Sequence, residues 1–204
     1  MYIPKHFKMN EKEEIYRIIE ENSFAVLFSQ HEGLPYATHL PLSLDRTENC
    51  LYGHVAKQNP QWKDLLNQKV LAVFSGPHSY ISPSWYETQD AVPTWNYTAA
   101  HVYGRAELIE NEIELMKTLK ALVNKYEKPD SSYRLDRAEP SYIQGLSRGI
   151  VGFKIKIDKL EGKRKLSQNH PAKRQQDVIN QLEKLNTENA MQIAELMKGN
   201  IKIK

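Results

Sequence analysis

Cysteine is almost missing from this chain of 204 residues, which has only Cys50. A single thiol excludes an internal disulfide framework and any metal site built on several cysteines, as a reducing cytoplasm allows. Cys50 itself reads as an inert residue at the start of a strand. Long apolar runs are missing too. A membrane-spanning helix needs about twenty consecutive apolar residues, and no stretch here supplies them. The opening MYIPKHFKMNEKEE has no long apolar core of the kind a secretory signal carries. The expectation is therefore a soluble, cytoplasmic protein with no membrane partner. Charge of one sign is also scarce: 28 basic against 25 acidic residues leave a net +3, too slight to announce a nucleic-acid binder. No low-complexity segment and no repeat period are visible.

Familiar catalytic signatures are absent as well. There is no G-x-S-x-G elbow, no phosphate-binding P-loop and no dinucleotide fingerprint. The histidines do not fall at metal-ligand spacing, so no structural zinc site is expected. No residue stands out as a nucleophile or general base, so any redox chemistry would belong to a bound cofactor. His39 and His54 are singled out because each lies within or at the end of a strand, beside a polar cluster.

What the chain does have is a concentrated aromatic stretch, Phe74 to Tyr97 (FSGPHSYISPSWYETQDAVPTWNY), with two of its three tryptophans, Trp85 and Trp95. It is too polar for a core and too aromatic for a solvated linker. Aromatic rings give rigid apolar area, and short hydroxyl and amide side chains orient what sits against them. Composition alone leaves two readings open: a wall that grips a flat, partly polar ligand, or a subunit interface.

Taken in order, Asn10 with Glu13 reads as a capping box opening a helix to Glu21. Strands are expected at Phe24–Ser29, at Ala37–Leu44, at Leu51–Val55, at Val70–Phe74, at His101–Ile109 and at Gly149–Ile157. HEGLP after the first is a turn. Pro41 removes a ladder donor, so the second strand should lie at an edge or be interrupted there. A short helix starts at Pro60 and carries Trp62, Leu65 and Leu66. Gly104 is a bulge position. Asn111 to Glu127 reads as a helix whose stripe of Ile113, Met116, Leu119, Leu122, Val123 and Tyr126 is core. Lys128 to Pro140 is loop, and a short helix follows around Tyr142 to Leu146. Strands separated by turns favour a mostly antiparallel, closed or partly closed sheet.

Beyond the last expected strand the positive excess gathers between Arg148 and Arg174. Such a stretch is a solvated face, a phosphate contact or a nucleic-acid contact. KLSQN, from Lys165, sets a cation beside a hydroxyl and two amides. Pro171 opens a helix with Val178, Ile179, Leu182 and Leu185, and a second helix carries Met191, Ile193, Ala194, Leu196 and Met197. The pair resembles a helix-turn-helix without its usual glycine, and is read chiefly as an appendage on the protein itself or a partner.

A flavin or pyridoxal phosphate site needs cations and hydroxyls at the phosphate, amides at the ring edge and an apolar wall on the ring face. Lys57 with Asn59, the Tyr80–Trp85 stretch with Ser82, Trp95 with Asn96, and Lys165 with Gln168 could supply these from four separated places.

MYIPKHF, THLPL, GHVAKQNPQW, GPHSYISPSWY, VPTWNY, HVYG, IVGFKI and KLSQN stand in the order and at about the spacing of PaiB-type proteins, which this chain resembles along nearly its whole length. These are called FMN-binding negative transcriptional regulators, or protease synthase and sporulation negative regulatory proteins. The resemblance implies an α+β, mostly β fold: a six-stranded antiparallel FMN-binding split barrel with peripheral helices. It would span residues 1–169, with a C-terminal helical appendage at 170–204. It also implies a homodimer with FMN at the subunit interface. By analogy, His54, Val55, Ala56 and Lys57 form the phosphate-side segment. Tyr80 and Ser82 lie beside the ring, and Trp95, Asn96, Lys165, Ser167 and Gln168 close the site. Lys57 stands where the family often has arginine, which turns a two-pronged phosphate grip into a point contact. Arg164 stands where an aromatic residue commonly precedes KLSQN. The implied function is repression of protease and sporulation genes. The alternatives are an FMN-dependent oxidoreductase acting on a small molecule, with indirect effects on transcription, and direct contact with DNA or another regulator.

Overall fold

The computed structural model describes residues 1–202 apart from 89, 134 and 136–138. After a 3₁₀ turn at Lys5–Phe7 come a two-residue strand, Lys8–Met9 (β1), and the helix Lys12–Glu21 (α1). Helical spacing puts Ile15, Tyr16, Ile18 and Ile19 of α1 in the interior. The start differs from expectation: Glu11, not Asn10, is the N-cap, and its side chain accepts no amide. Glu13 and Glu14 stand in the first turn instead, where negative charge meets the positive end of the helix dipole.

The remaining strands are Phe24–His31 (β2), Leu34–Pro41 (β3), Ser43–Asp45 (β4), Cys50–Ala56 (β5), Lys69–Ile81 (β6), Thr94–Leu108 (β7) and Ile150–Lys165 (β8). They form a sheet of order β3-β2-β6-β7-β8-β5-β4, with β1 on β8. Every register resolved pairwise is antiparallel. Glu32 and Gly33, both at positive φ, make the two-residue turn that the twist of the β2–β3 hairpin favours.

Eight strands replace the expected six among the described residues. One addition, β1, is too short to leave a periodic signal. The other arises because the expected Ala37–Leu44 strand breaks after Pro41, which has no N–H, and the Leu42 amide turns to the Ser23 carbonyl (2.8 Å). β3 is an edge, as the proline required. Five strands are longer than expected, β2 and β5 by two residues each and three by more, and the HEGLP turn shrinks to Glu32–Gly33. β6 runs on to Ile81 and β7 starts at Thr94, so the aromatic stretch is two strand ends around a loop with a 3₁₀ turn at Pro83–Trp85. β8 continues through the basic residues to Lys165, because its length is set by pairing, with β5 along 150–156 and with β1 at Gly162 and Lys163, rather than by composition. The helix expected after Pro60 is two 3₁₀ turns, Pro60–Lys63 and Leu65–Asn67.

Contacts divide the chain into two units, 1–22 with 74–101 and 160–204, and 23–73 with 102–159, so β6, β7 and β8 contribute to both. The second unit holds a core that includes Leu27, Leu42, Leu51, Leu65, Phe153 and Ile155. Gly104 serves there as a close-approach point, since an added Cβ would collide with the Lys156 carbonyl oxygen. Its helix Glu112–Tyr126 (α2) is capped by Asn111, whose Oδ1 accepts from the amides of Ile113 (2.8 Å) and Glu114 (3.1 Å). The stripe expected to be core is not: no residue of α2 is buried, and Ile113 is 81% exposed. Met116, Leu119, Leu122 and Val123 are half-buried. Of the expected loop 128–140, residues 134 and 136–138 lie outside the described residues, and helix Pro140–Ser147 (α3) follows.

In the first unit the helices Ala172–Leu185 (α4) and Glu188–Lys202 (α5) are joined at Asn186, which adopts the left-handed conformation that ends α4. Val178, Ile179, Leu182, Ile193 and Met197 pack with Ile81 and Leu166 into one buried cluster, with Trp85 and Tyr86 against it. Leu185 and Met191 stay exposed, contrary to the apolar stripe read for these helices.

Candidate functional site

Within the first unit, β7 and the turn after β8 bring Asn96, Lys165 and Ser167 together. Asn96 is fully buried. Its Nδ2 donates to Ser167 Oγ (3.0 Å) and approaches Met197 Sδ (3.4 Å), while its Oδ1 accepts from the same hydroxyl (3.2 Å). Ser167 has φ 60°, and Gln168 closes the turn by accepting from the Leu166 amide (2.7 Å) and donating to the Arg164 carbonyl (2.6 Å). KLSQN is thus a locked turn whose hydroxyl and glutamine amide already serve the protein. Lys165 and Asn169 are the members left with donor capacity, and the Lys165 ammonium donates to Thr94 Oγ1 and to the Trp95 carbonyl (2.9 Å). Burial, and after it Lys163, lowers its pKa.

A cavity of about 380 Å³ opens beside this turn. Thr94, Asn96, Lys165 and Ser167 line it, as do Phe7, Tyr86 and Val92. Asp90, Asn169, His170 and Arg174 complete the polar part. Arg174 lies over the Tyr86 ring (4.9 Å) and donates to both oxygens of Glu87 (2.7 to 3.2 Å). The Arg174 hydrogen bond holds Glu87 down at about 2. Burial first, then Arg174, lowers the pKa of His170. None of Phe7, His170 and Arg174 was singled out from sequence, because only the fold brings them beside Lys165.

The other expected residues of this unit have mixed roles. Trp95 is 52% exposed and meets the Tyr80 ring edge-on (5.9 Å), and Tyr80 is 45% exposed. Ser82 caps the 3₁₀ turn, accepting from the Ser84 amide (3.2 Å). Trp85 packs on the C-terminal helices.

In the second unit, β5 carries His54, Val55 and Ala56 to Lys57. Val55 is buried, and Ala56 and Lys57 are exposed. The Lys57 amide donates to the Gly149 carbonyl (2.8 Å), and its carbonyl accepts from Trp62 Nε1 (2.9 Å). Asn59 caps the following turn through Gln61 N (3.0 Å) and donates to Thr38 Oγ1 (2.9 Å). His39 is exposed on β3, its ring 6.3 Å from that of Phe24. His54 Nδ1 is enclosed with no hydrogen-bond partner among the described residues, and burial lowers its pKa.

Residues 1–159 match the family model described as "Putative FMN-binding domain". The chain belongs to this FMN-binding family. It is 43% identical over 206 residues to the Protease synthase and sporulation protein PAI 2 of Bacillus subtilis (strain 168), covering 99% of each. Among solved structures it is similar to the flavocytochrome Anf3 of Azotobacter vinelandii (16% identity, TM-score 0.65, 80% of this chain and 72% of that one). It is also similar to the FAD and heme binding protein of Mycobacterium smegmatis (14% identity, TM-score 0.60, 78% and 73%). At these identities the likeness concerns the fold, which is the antiparallel split-barrel class expected from sequence.

FMN is the cofactor of the family, and this chain's residues suit it. The exposed Lys57 ammonium makes no hydrogen bond or ion pair among the described residues, so it is available to a phosphate. Thr38 Oγ1 accepts from Asn59 and keeps its own proton to donate. Thr38 was not singled out from sequence, where one threonine in THLPL carries no special signal. Tyr80 and Trp95 present partly exposed rings. No helix among the described residues is long and apolar enough to cross a membrane.

Proposed function

We propose that this protein is an FMN-binding negative regulator of protease synthesis and sporulation, working as a homodimer in the cytoplasm. The observation that carries the reading is its whole-length similarity to the Bacillus subtilis sporulation protein. FMN, when bound, supplies a redox centre that can report the state of the cell. Lys57 and the Thr38 hydroxyl bind the phosphate, with Asn59 holding Thr38 in place. Tyr80 and Trp95 cover the ring, and the Asn96–Ser167–Gln168 network keeps the Trp95 backbone rigid through Lys165. Phe24 (67% exposed), Leu34 (69%) and Trp95 (52%) are large apolar side chains that a second copy would remove from water.

The regulatory output runs through another regulator rather than through α5 inserted into DNA. The exposed residues of α5 include Glu188, Asn189, Gln192 and Glu195, and Lys198 is tied to Glu183 (2.7 Å). That surface repels phosphates. A second reading, an FMN-dependent oxidoreductase acting on a small molecule, is favoured by the cavity beside Lys165. Turnover of a nicotinamide donor by FMN-loaded protein separates the two readings.

The test is a flavin titration combined with a protease reporter in cells. Lys57→Ala weakens FMN uptake by roughly tenfold, the worth of a charge-assisted hydrogen bond. Cells carrying it lose repression that the wild-type chain restores. Equal FMN affinity in the variant removes Lys57 from the site, and repression by a chain that takes up no FMN ends the flavin-linked reading.

A further inference from the structure

The cavity beside the KLSQN turn is lined by an ammonium, Lys165, whose contacts are a hydroxyl and a carbonyl rather than a carboxylate. Arg174 is matched by the two-oxygen contact with Glu87. His170 is pushed toward its neutral form. Lys165 has no carboxylate partner among the described residues, and the neighbouring charge that acts on it is another cation, Lys163. An ammonium has three donors. Two go to Thr94 Oγ1 and the Trp95 carbonyl, which leaves one unspent on a side chain that lines the cavity. Asn169, exposed in the same lining, makes no side-chain hydrogen bond among the described residues. Opposite in character are Phe7, Tyr86 and Val92, two aromatic rings and an aliphatic side chain. A volume of about 380 Å³ lies at the small end of ligand pockets.

We propose that this cavity binds a small organic carboxylate, its anionic end on Lys165 and Asn169 and its apolar body against Phe7, Tyr86 and Val92. A monoanion is favoured over a phosphate dianion because only one cation of the lining is free. None of these residues is one of those assigned to the FMN phosphate, so each reading can fail without the other. Asp90, the acid in the lining, works against the ligand and sets the sign of a second test.

Benzoate and inorganic phosphate are the probes, titrated by calorimetry into the full chain with and without FMN. Benzoate binds saturably in both forms and more tightly than phosphate. Lys165→Met weakens it by roughly tenfold or more, the loss of a charged hydrogen bond. The exposed Asp90→Asn tightens it by about threefold, as removal of one like charge from the same lining requires. Absence of saturable binding, stronger binding of phosphate, or exclusion of benzoate by FMN overturns the proposal. If Lys165→Met fails to fold, Asp90→Asn decides: unchanged or weaker benzoate binding refutes the site.

Discussion

Asn96 is a polar side chain with no access to water, and it holds the turn of β8 by giving and taking with one hydroxyl. Asn96→Ala leaves the buried Ser167 hydroxyl without its partner. The expected cost is about 2 kcal/mol, seen as a lower urea midpoint with an unchanged slope. His54 argues through pH. Burial holds its folded pKa below the ordinary 6.5, so below that pH the unfolded chain takes up the proton first. Stability is therefore flat above about pH 6.5 and falls as pH drops below it. His170 contributes with the same sign. Urea midpoints of the FMN-free protein between about pH 8 and about pH 5 check this, and His54→Gln should flatten part of the slope. Neither residue's burial was legible in sequence. Asn96 stands one place from an exposed tryptophan, and only the pairing of its strand decides which of the two faces inward.

At the scale of elements, the C-terminal helices are part of a core. Leu182 is fully buried among residues of α4, α5, the end of β6 and the KLSQN turn. Leu182→Ala should cost about 3 kcal/mol in urea denaturation; a loss under about 1 kcal/mol would mean that the helices are loosely attached. The helical periods of α1, α2, α4 and α5 were plain in the sequence because apolar residues recur every three or four positions. What α2 packs against was not. Its stripe is half-buried at best, although its spacing is as regular as that of α4. Strand lengths were underestimated for a related reason: prolines, serines and lysines in β6 and β8 read as loop, yet alternate residues of β6 are buried and the end of β8 is held by its pairing with β1.

For the whole molecule, sedimentation equilibrium should give twice the single-chain mass, with dissociation on dilution accompanied by loss of FMN. A monomer that retains FMN would remove the dimer from the reading. The chain alone determined its class: one cysteine, no long apolar run, alternating strands, and a stretch, residues 1–159, that matches the FMN-binding family. Periodicity and composition are local properties, and local chemistry records them. Tertiary structure alone decided that Lys165 meets Thr94 and the Trp95 carbonyl and no carboxylate among the described residues, that Ser167 is already engaged by Asn96, that Thr38 stands beside Asn59, and that Phe7 and Arg174 border one cavity. Those are relations between residues distant in sequence, set by strand register and helix packing, which no local pattern encodes.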